Sequence, residues 1–419
     1  MPTRRWSRIQ QVLRRLTFAR VPHRDVVIYD AFSERHLYPL LDMSRVAVLD
    51  VEFHKVNAWV LLYSFRFGRP NARTYLFAFL AITSPKVVIT TCDNSVNFYT
   101  IKDEFPHIVT IAVQNGRRNT FGPRRDSSFQ FNLAHLDRRP KVDSYFTFGT
   151  TEHLQFKPLI DGRFIAHGNL KNNYLAHVKA SRSCGRRVMS YISSFPNLKS
   201  GIPTSVDSDI PTHFFQDKPI PHRSYFEPEG RIPRFLARYC RERDIEFQVI
   251  GKQEATSTHE SEYFRAHVGD TSLKVIPCSP EGASYQALLD SDFVVSIDST
   301  LAYEMLGRGK RTAFLTIRGS AIGIDGVRCT NFGFPEVKDD SGPFWTNIDD
   351  EDEFVRVLNF VVTSSNLEWE GEASKLRTVV MNYDPLNSVL YAELTALGIS
   401  HRLGEVEIQQ RVRQTYGVG

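Results

Sequence analysis

The stretch DSTLAYE at 298–304 puts three small polar residues, Asp298, Ser299 and Thr300, directly after the apolar run FVVSI, with Glu304 four positions beyond Thr300. If the run is a strand and a helix begins near Ser299, first-turn N–H groups and the Ser299 and Thr300 hydroxyls face outward, where a phosphate would be held. Glu304 then shares a helical face with Thr300 and would accept hydrogen bonds from ribose hydroxyls. Gly307 reads as the glycine that ends the helix. Helix capping by Asp298 or Ser299, with a solvated acid at 304, accounts for the same residues.

Other polar residues follow apolar runs in the same way. Asp93 and Asn94 come after KVVITTC; Gln114, Asn115, Gly116 and Arg117 end or follow VTIAVQ. A carboxylate, amides and a guanidinium at one rim suit proton or glycosyl chemistry on an anionic sugar, because arginine grips a carboxylate or phosphate with two parallel bonds. Taken singly, Asp93 is an ordinary N-cap and Asn115-Gly116 an ordinary turn. Thr150, Thr151 and Glu152 follow YFTFG, where Glu152 is a second carboxylate for catalysis or merely a first-turn acid. Gly251 and Lys252, Ser193 with Ser194, and Ser279 follow three further runs and would touch a nucleotide's phosphate or base.

The runs themselves form two series. DVVIYD, VAVLD, KVVITTC, VTIAVQ and YFTFGT lie between 25 and 150; VMSYISSF, EFQVIG, SLKVIPC, DFVVSID and RTAFLT lie between 188 and 316. Runs apolar throughout suit strands covered on both faces, as in a parallel sheet, and their spacing leaves room for crossover helices. The reading is two Rossmann-like domains, 25–180 and 181–350, preceded by a basic segment 1–24 and followed by a helical segment 351–419. The Pro-, Ser- and Asp-rich stretch 198–222 reads as a long loop. In open α/β sheets ligands gather at the carboxyl ends of the strands, where all the residues named above are expected to lie.

A chain of 419 residues is long for one core and points to two domains at roughly 100–200 residues each. With 42% hydrophobic and 24% charged residues it has material for packed cores. A net charge of +5 gives no strong polyanion footprint, so no nucleic-acid partner is expected. The charge is uneven, however: the first 24 residues hold seven Arg and no acid. There Trp6, Ile9, Val12, Leu13 and Leu16 fall at helical spacing, which suits a helix on an anionic membrane surface or one packed on the domain behind it. No secretory signal and no run of about 20 apolar residues is seen. Cys92, Cys184, Cys240, Cys278 and Cys329 are scattered, which fits reduced thiols and a cytoplasmic location. No phosphate-loop, dinucleotide, zincin or hydrolase motif occurs, and no carboxylate pair with metal-ligand spacing follows a strand, so metal-independent chemistry without a cofactor is expected.

Taken together, DVVIYDAFSERHLYPLL, KVVITTCDNSVNFYTIKDEFPHIVTIAVQNGRR, SYFTFGTTE, YISSF and DSDFVVSIDSTLAYEMLGRGKRTAFL resemble bacterial surface-carbohydrate biosynthesis proteins, which are GT-B-like transferases. They are more distantly similar to the retaining β-Kdo transferases of lipopolysaccharide and capsule assembly. The resemblance implies a GT-B-like α/β fold and transfer of a sugar from a nucleotide-activated donor, CMP-Kdo among the candidates, to a glycan or glycolipid acceptor. It places Ser299 and Thr300 at donor phosphate, Glu304 at ribose or base, and Asp93, Gln114, Asn115 and Arg117 on the acceptor side. If β-Kdo-type chemistry applies, a carboxylate nucleophile is implied, with Asp93 first and Glu152 next. A CDP-polyol phosphotransferase and a nonenzymatic sugar- or nucleotide-binding protein are the competing readings.

Overall fold

The computed structural model describes residues 15–52, 54–118, 121–122, 128–178, 180–181, 185–195, 207–254, 256–278, 282–400 and 405–416. All ten apolar runs contain strands, and in the central ones, such as Val87–Thr90 and Phe293–Ser296, every side chain is buried on one face or the other of a sheet. In the first sheet the order is Val46–Val48, Val26–Ile28, Val87–Thr90, Val109–Val113, Lys141–Thr147, Asp161–Ala166, parallel throughout. Val27, Val88 and Ala112 enter one core with the helix Ala72–Thr83, while Val26, Ile28, Ile89 and Ile111 enter the core on the other face. Chain order reverses between Val26–Ile28 and Val87–Thr90, which opens a crevice at their carboxyl ends.

The second sheet runs Lys274–Cys278, Glu246–Glu254, Val188–Ile192, Phe293–Ser296, Arg311–Leu315, Trp345–Thr346, Ser341–Gly342. All neighbours are parallel except the last pair. Its reversal point lies between Val188–Ile192 and Phe293–Ser296, so Ser193, Ser194, Asp298 and Ser299 stand at the crevice. The fold is α/β and GT-B-like: two such sheets present their carboxyl ends to a shared cleft.

Several elements differ from the sequence reading. Asp161–Ala166 is an edge strand, half exposed and carrying Gly162 and Arg163, so it shows no apolar run. Within the expected loop 198–222, Pro211–Phe215 and Lys218–Pro221 form an antiparallel hairpin whose first strand pairs with Phe121–Gly122 of the first half. Its prolines sit in a small three-stranded sheet, where a missing N–H is tolerated. The expected basic helix falls mostly on residues 1–14, outside the described residues. Leu16, the end of its apolar stripe, is instead in a short strand, Leu16–Thr17, paired with Val56–Asn57.

The C-terminal helices are shared between the halves. Glu351–Thr363 and Asn366–Val380 pack on the second sheet through Phe354, Val357, Leu358, Trp369 and Ala373. The chain then returns, and Ser388–Ala396 and Glu405–Tyr416 cover the first sheet with Leu390, Leu394, Ile408 and Val412. The return is tight. Asn382 donates from its N–H to the Phe148 carbonyl at 2.7 Å, and Asn173 bonds both the Asp384 N–H and Asn387. Gly168, at φ +89°, lies so close that a Cβ would overlap the Asn382 carbonyl. Gly168→Ala should therefore lower unfolding free energy by about 2 kcal/mol or more, measured by urea denaturation, since both the left-handed backbone and the close approach exclude a methyl group.

Candidate active site

The helix after Phe293–Ser296 spans Thr300–Gly307, with Ser299 at its N-cap position but no side-chain cap hydrogen bond. Neither capping residue anticipated from the sequence does that job. Ser299 donates its own N–H to Ser296 Oγ at 3.1 Å, and Asp298 is claimed by Arg318 through Nε–Oδ2 at 2.6 Å and a second bond at 3.1 Å. The Thr300 and Leu301 N–H groups are thus left open at the cleft, with their partial positive charge, while the Ala302 N–H donates to the Ser299 carbonyl at 3.0 Å. Gly307 is the last helical residue but not the left-handed glycine beyond the end. It lies against Met381 of the returning chain, and Gly309, at φ +84°, makes the left-handed turn.

Arg318 is fully buried and also donates to Glu229 Oε1 at 3.1 Å and to the Tyr225 carbonyl. Glu229 accepts from the Tyr191 hydroxyl at 2.7 Å and the Ser194 N–H at 3.1 Å. Burial works to raise both carboxyls. Arg318 more than offsets this at Asp298, held below the ordinary value, but not at Glu229, which stays raised. One strand away, buried Glu260 accepts from the N–H groups of Lys252 and Gln253 and from Ser193 Oγ. Gly251 has no side chain because Glu260 occupies that space.

On the opposite rim Asp93 is buried and saturated. Arg118 donates to both its oxygens, Tyr145 to Oδ2 at 2.8 Å, and the Asn115 N–H to Oδ1 at 3.1 Å. That arrangement fixes the loop and commits both carboxylate oxygens to donors. Glu152 is also buried; burial raises its carboxyl against the pull of Arg117 and Gln114. Gln114 braces the loop, accepting from the Phe148 N–H at 2.8 Å and donating to the Gly116 carbonyl at 3.1 Å. Arg117 reaches across to the second half: its N–H donates to Thr300 Oγ1 at 3.4 Å and its guanidinium lies 4.2 Å from the centroid of the Tyr303 ring.

Between the rims lies a cleft of about 740 Å³. Ten of the sequence-derived residues line it: Asn115, Arg117, Ser193, Ser194, Gly251, Lys252, Asp298, Ser299, Thr300 and Glu304. Asp93, Asn94, Gln114, Gly116 and Glu152 are not among its lining residues, and Ser279 lies outside the described residues. Glu304 is buried against the Tyr285 hydroxyl, and burial pushes its carboxyl up to about 7 against the pull of Tyr285, Lys171 and Arg308. Sequence reasoning missed Arg318, Lys171, Tyr285, the hairpin's Thr212 and His213, and His222 at the start of the helix His222–Glu242, all in the lining. Arg318 stands just beyond the run RTAFLT, where the strand-end search would have found it. His213 stacks on Tyr225 with centroids 4.0 Å apart, and burial holds its imidazole neutral, down to about 4. Among the described residues no group of His, Cys, Asp and Glu is placed to hold a metal ion. Arg318→Met should cost about 3–5 kcal/mol of stability by denaturant unfolding, because it strands two carboxylates without their cation.

No curated protein matches the chain. Among solved structures it is similar to the UDP-GlcNAc 2-epimerase of Methanocaldococcus jannaschii, at 8% identity over 90% of this chain and 100% of that one, TM-score 0.46. The corresponding values are 10%, 90%, 100% and 0.43 for the Neisseria meningitidis UDP-GlcNAc 2-epimerase bound to UDP-GlcNAc. They are 8%, 89%, 88% and 0.43 for the wall teichoic acid polymerase TagF. A family described as "putative O-antigen biosynthesis protein" matches residues 111–396, and the chain, with its surface-carbohydrate signature, belongs to that family.

Proposed function

We propose that the protein is a glycosyltransferase of bacterial surface-glycan synthesis, taking its sugar from a nucleotide-activated donor in the cleft. The observation that carries this reading is the uncapped N-terminus of Thr300–Gly307 at the second sheet's reversal point, with Lys252 and Arg117 beside it. Such an end binds phosphate oxygens, and Glu304 one turn on is placed for ribose hydroxyls. Transfer breaks the bond from the anomeric carbon to phosphate oxygen and forms one to an acceptor oxygen. The departing nucleotide's negative charge is met by the helix end and the two cations, the kind of fixed electrostatic support that lowers such barriers. On this reading the reaction proceeds without a metal ion, and CMP-Kdo is the first donor to test.

Melting temperature against a panel of nucleotides and nucleotide sugars is the direct experiment, since a ligand of the folded state raises it by mass action. A shift with CMP, UDP, GDP or CDP is expected and names the base; no shift with any of them overturns the proposal. Incubation with the matching donor and lipid-linked acceptor extracts should then label a glycan. Phosphate in that product would instead mark a polyol-phosphate transferase, and binding without transfer a nonenzymatic protein. Nucleotide affinity should also rise about tenfold between pH 6 and 8, following ionisation of a carboxyl with a value near 7, and become flat in Glu304→Gln. The sign follows from the ionised form alone accepting from both ribose hydroxyls.

The same reading brings the protein to a membrane, where lipid-linked glycans are built. Among the described residues no helix is long and apolar enough to cross one. Trp59, Leu62 and Phe65, three apart along Ala58–Ser64 and the turn after it, are 54, 61 and 63% exposed, and Phe18 beside them is 67% exposed. Trp59 Nε1 donates to the Phe18 carbonyl at 3.0 Å, which joins them into one patch. Arg20, Arg66 and Arg69 are exposed nearby in sequence, continuing the arginine-rich first 24 residues. Aromatic side chains among arginines suit an anionic lipid surface. Vesicles containing phosphatidylglycerol should pull down the protein, those of phosphatidylcholine alone should not, and Trp59→Ala with Phe65→Ala should release it without changing nucleotide-induced melting shifts.

A further inference from the structure

Next to the large cleft, and sharing Asn115, Lys171, Tyr285 and Glu304 with it, is a second cavity of about 230 Å³. It opens at the reversal point of the first sheet, where Thr91 and the helix Ala31–Leu37 meet. Its remaining walls include Phe32, Arg35, His36, Gln114 and Asn169. We propose that this cavity is an acceptor subsite that recognises an anionic group, a carboxylate or a phosphate, through Arg35 and Lys171.

Two cations face this space, and among the described residues neither has a carboxylate within ion-pair distance. Both are held in place by built contacts. Arg35 lies over the Phe32 ring at 4.7 Å and donates from Nε to His36 Nε2 at 3.3 Å. His36 is buried and its imidazole is kept neutral, so Nε2 accepts from Arg35 while Nδ1 donates to the Tyr416 hydroxyl at 2.7 Å. Lys171 is half-buried, its Nζ 5.3 Å from the Tyr285 ring centroid and 5.8 Å from that of Tyr416. The last turn of the last helix thus steadies both cations through one tyrosine.

Removing a lysine from water without a counter-ion is costly, so a site of this kind is complete only when something negative enters it. Glu304, the one carboxylate among the lining residues, has an oxygen committed to Tyr285 and is partly protonated near neutral pH. Neutral donors finish the lining. Asn169 spends its Oδ1 on capping the helix Leu170–Tyr174, which leaves its Nδ2 without a partner among the described residues; the Asn115 side chain is likewise unpaired there. A fork, an ammonium and two amides suit a carboxylate or phosphate. The volume, room for roughly eight waters at about 30 Å³ each, fits a substituent or single ring rather than a long glycan. Calling the bound molecule an acceptor rests on the donor site proposed above; the preference for an anion rests on the cavity's own side chains.

The test is calorimetric titration of the full chain, free and with CMP present, by D-glucose, D-glucose 6-phosphate and D-glucuronate. At least one charged sugar should bind roughly tenfold or more tightly than glucose, and Arg35→Gln should remove that preference. Preference for glucose 6-phosphate assigns a phosphate acceptor group, and preference for glucuronate a carboxylate. Equal affinity for all three, failure of both charged sugars to saturate, or a preference that survives Arg35→Gln combined with Lys171→Gln overturns the proposal. Arg35 does not line the larger cleft, so Arg35→Gln keeps any nucleotide-induced melting shift and thereby reports its own folding. An anion preference in a protein that binds no nucleotide would overturn the donor site alone and leave this subsite standing.

Discussion

The buried guanidinium of Arg318 decides what the end of the Phe293–Ser296 strand can do. An aspartate directly before a helix ordinarily turns back to satisfy its first N–H groups. Here Asp298 cannot, because Arg318 holds both of its oxygens while anchoring Glu229 and the Tyr225 carbonyl. The helix therefore begins with its first two donors, the N–H groups of Thr300 and Leu301, free, and the cleft gains an anion-seeking corner from the loss of a cap. Rigidity comes with it: Tyr191, Ser194 and Glu229 tie the neighbouring strand end into the same network.

The first half uses the same device in mirror form. There the carboxylate of Asp93 is taken by Arg118, Tyr145 and a backbone N–H, and the loop it fixes carries Arg117 out to the other half. Two buried Arg–Asp pairs thus stand behind the two rims. Breaking either leaves a charge in a low-dielectric interior, so the rims keep their shape while the groups in front of them remain available to ligands. Arg117 and Arg308 join the halves, the latter through two bonds to Asn172 at 2.7 Å.

Much of this arrangement could be read from the chain because parallel strands buried on both faces leave an unbroken apolar imprint, as in VVIT and FVVS. The polar residues that follow each imprint include ten of the cleft's lining residues. What escaped was set by distance in sequence. Nothing local marks Asp93 as the partner of Arg118, or Asp298 as the partner of a residue twenty positions on. Lys171 follows an edge strand too polar to be seen; His213 sits on, and His222 directly after, a hairpin whose prolines argue against strands. The shared C-terminal helices could be recognised as helices but not apportioned, since amphipathic stripes do not name the sheet they will cover.

That apportioning has a consequence for how the protein is made. Val26, Ile28, Ile89 and Ile111 on one face of the first sheet meet Leu390, Leu394, Ile408 and Val412, more than 270 residues later in the chain. On the ribosome the first half emerges with that face covered only in part, by its own Leu37, Leu40, Leu41, Leu170 and Tyr174, and the rest stays open until the C-terminal helices have been made. Its completion therefore waits for the second half to fold and hand the chain back, and a nascent chain stalled between 180 and 388 is the form of this protein most in need of a chaperone.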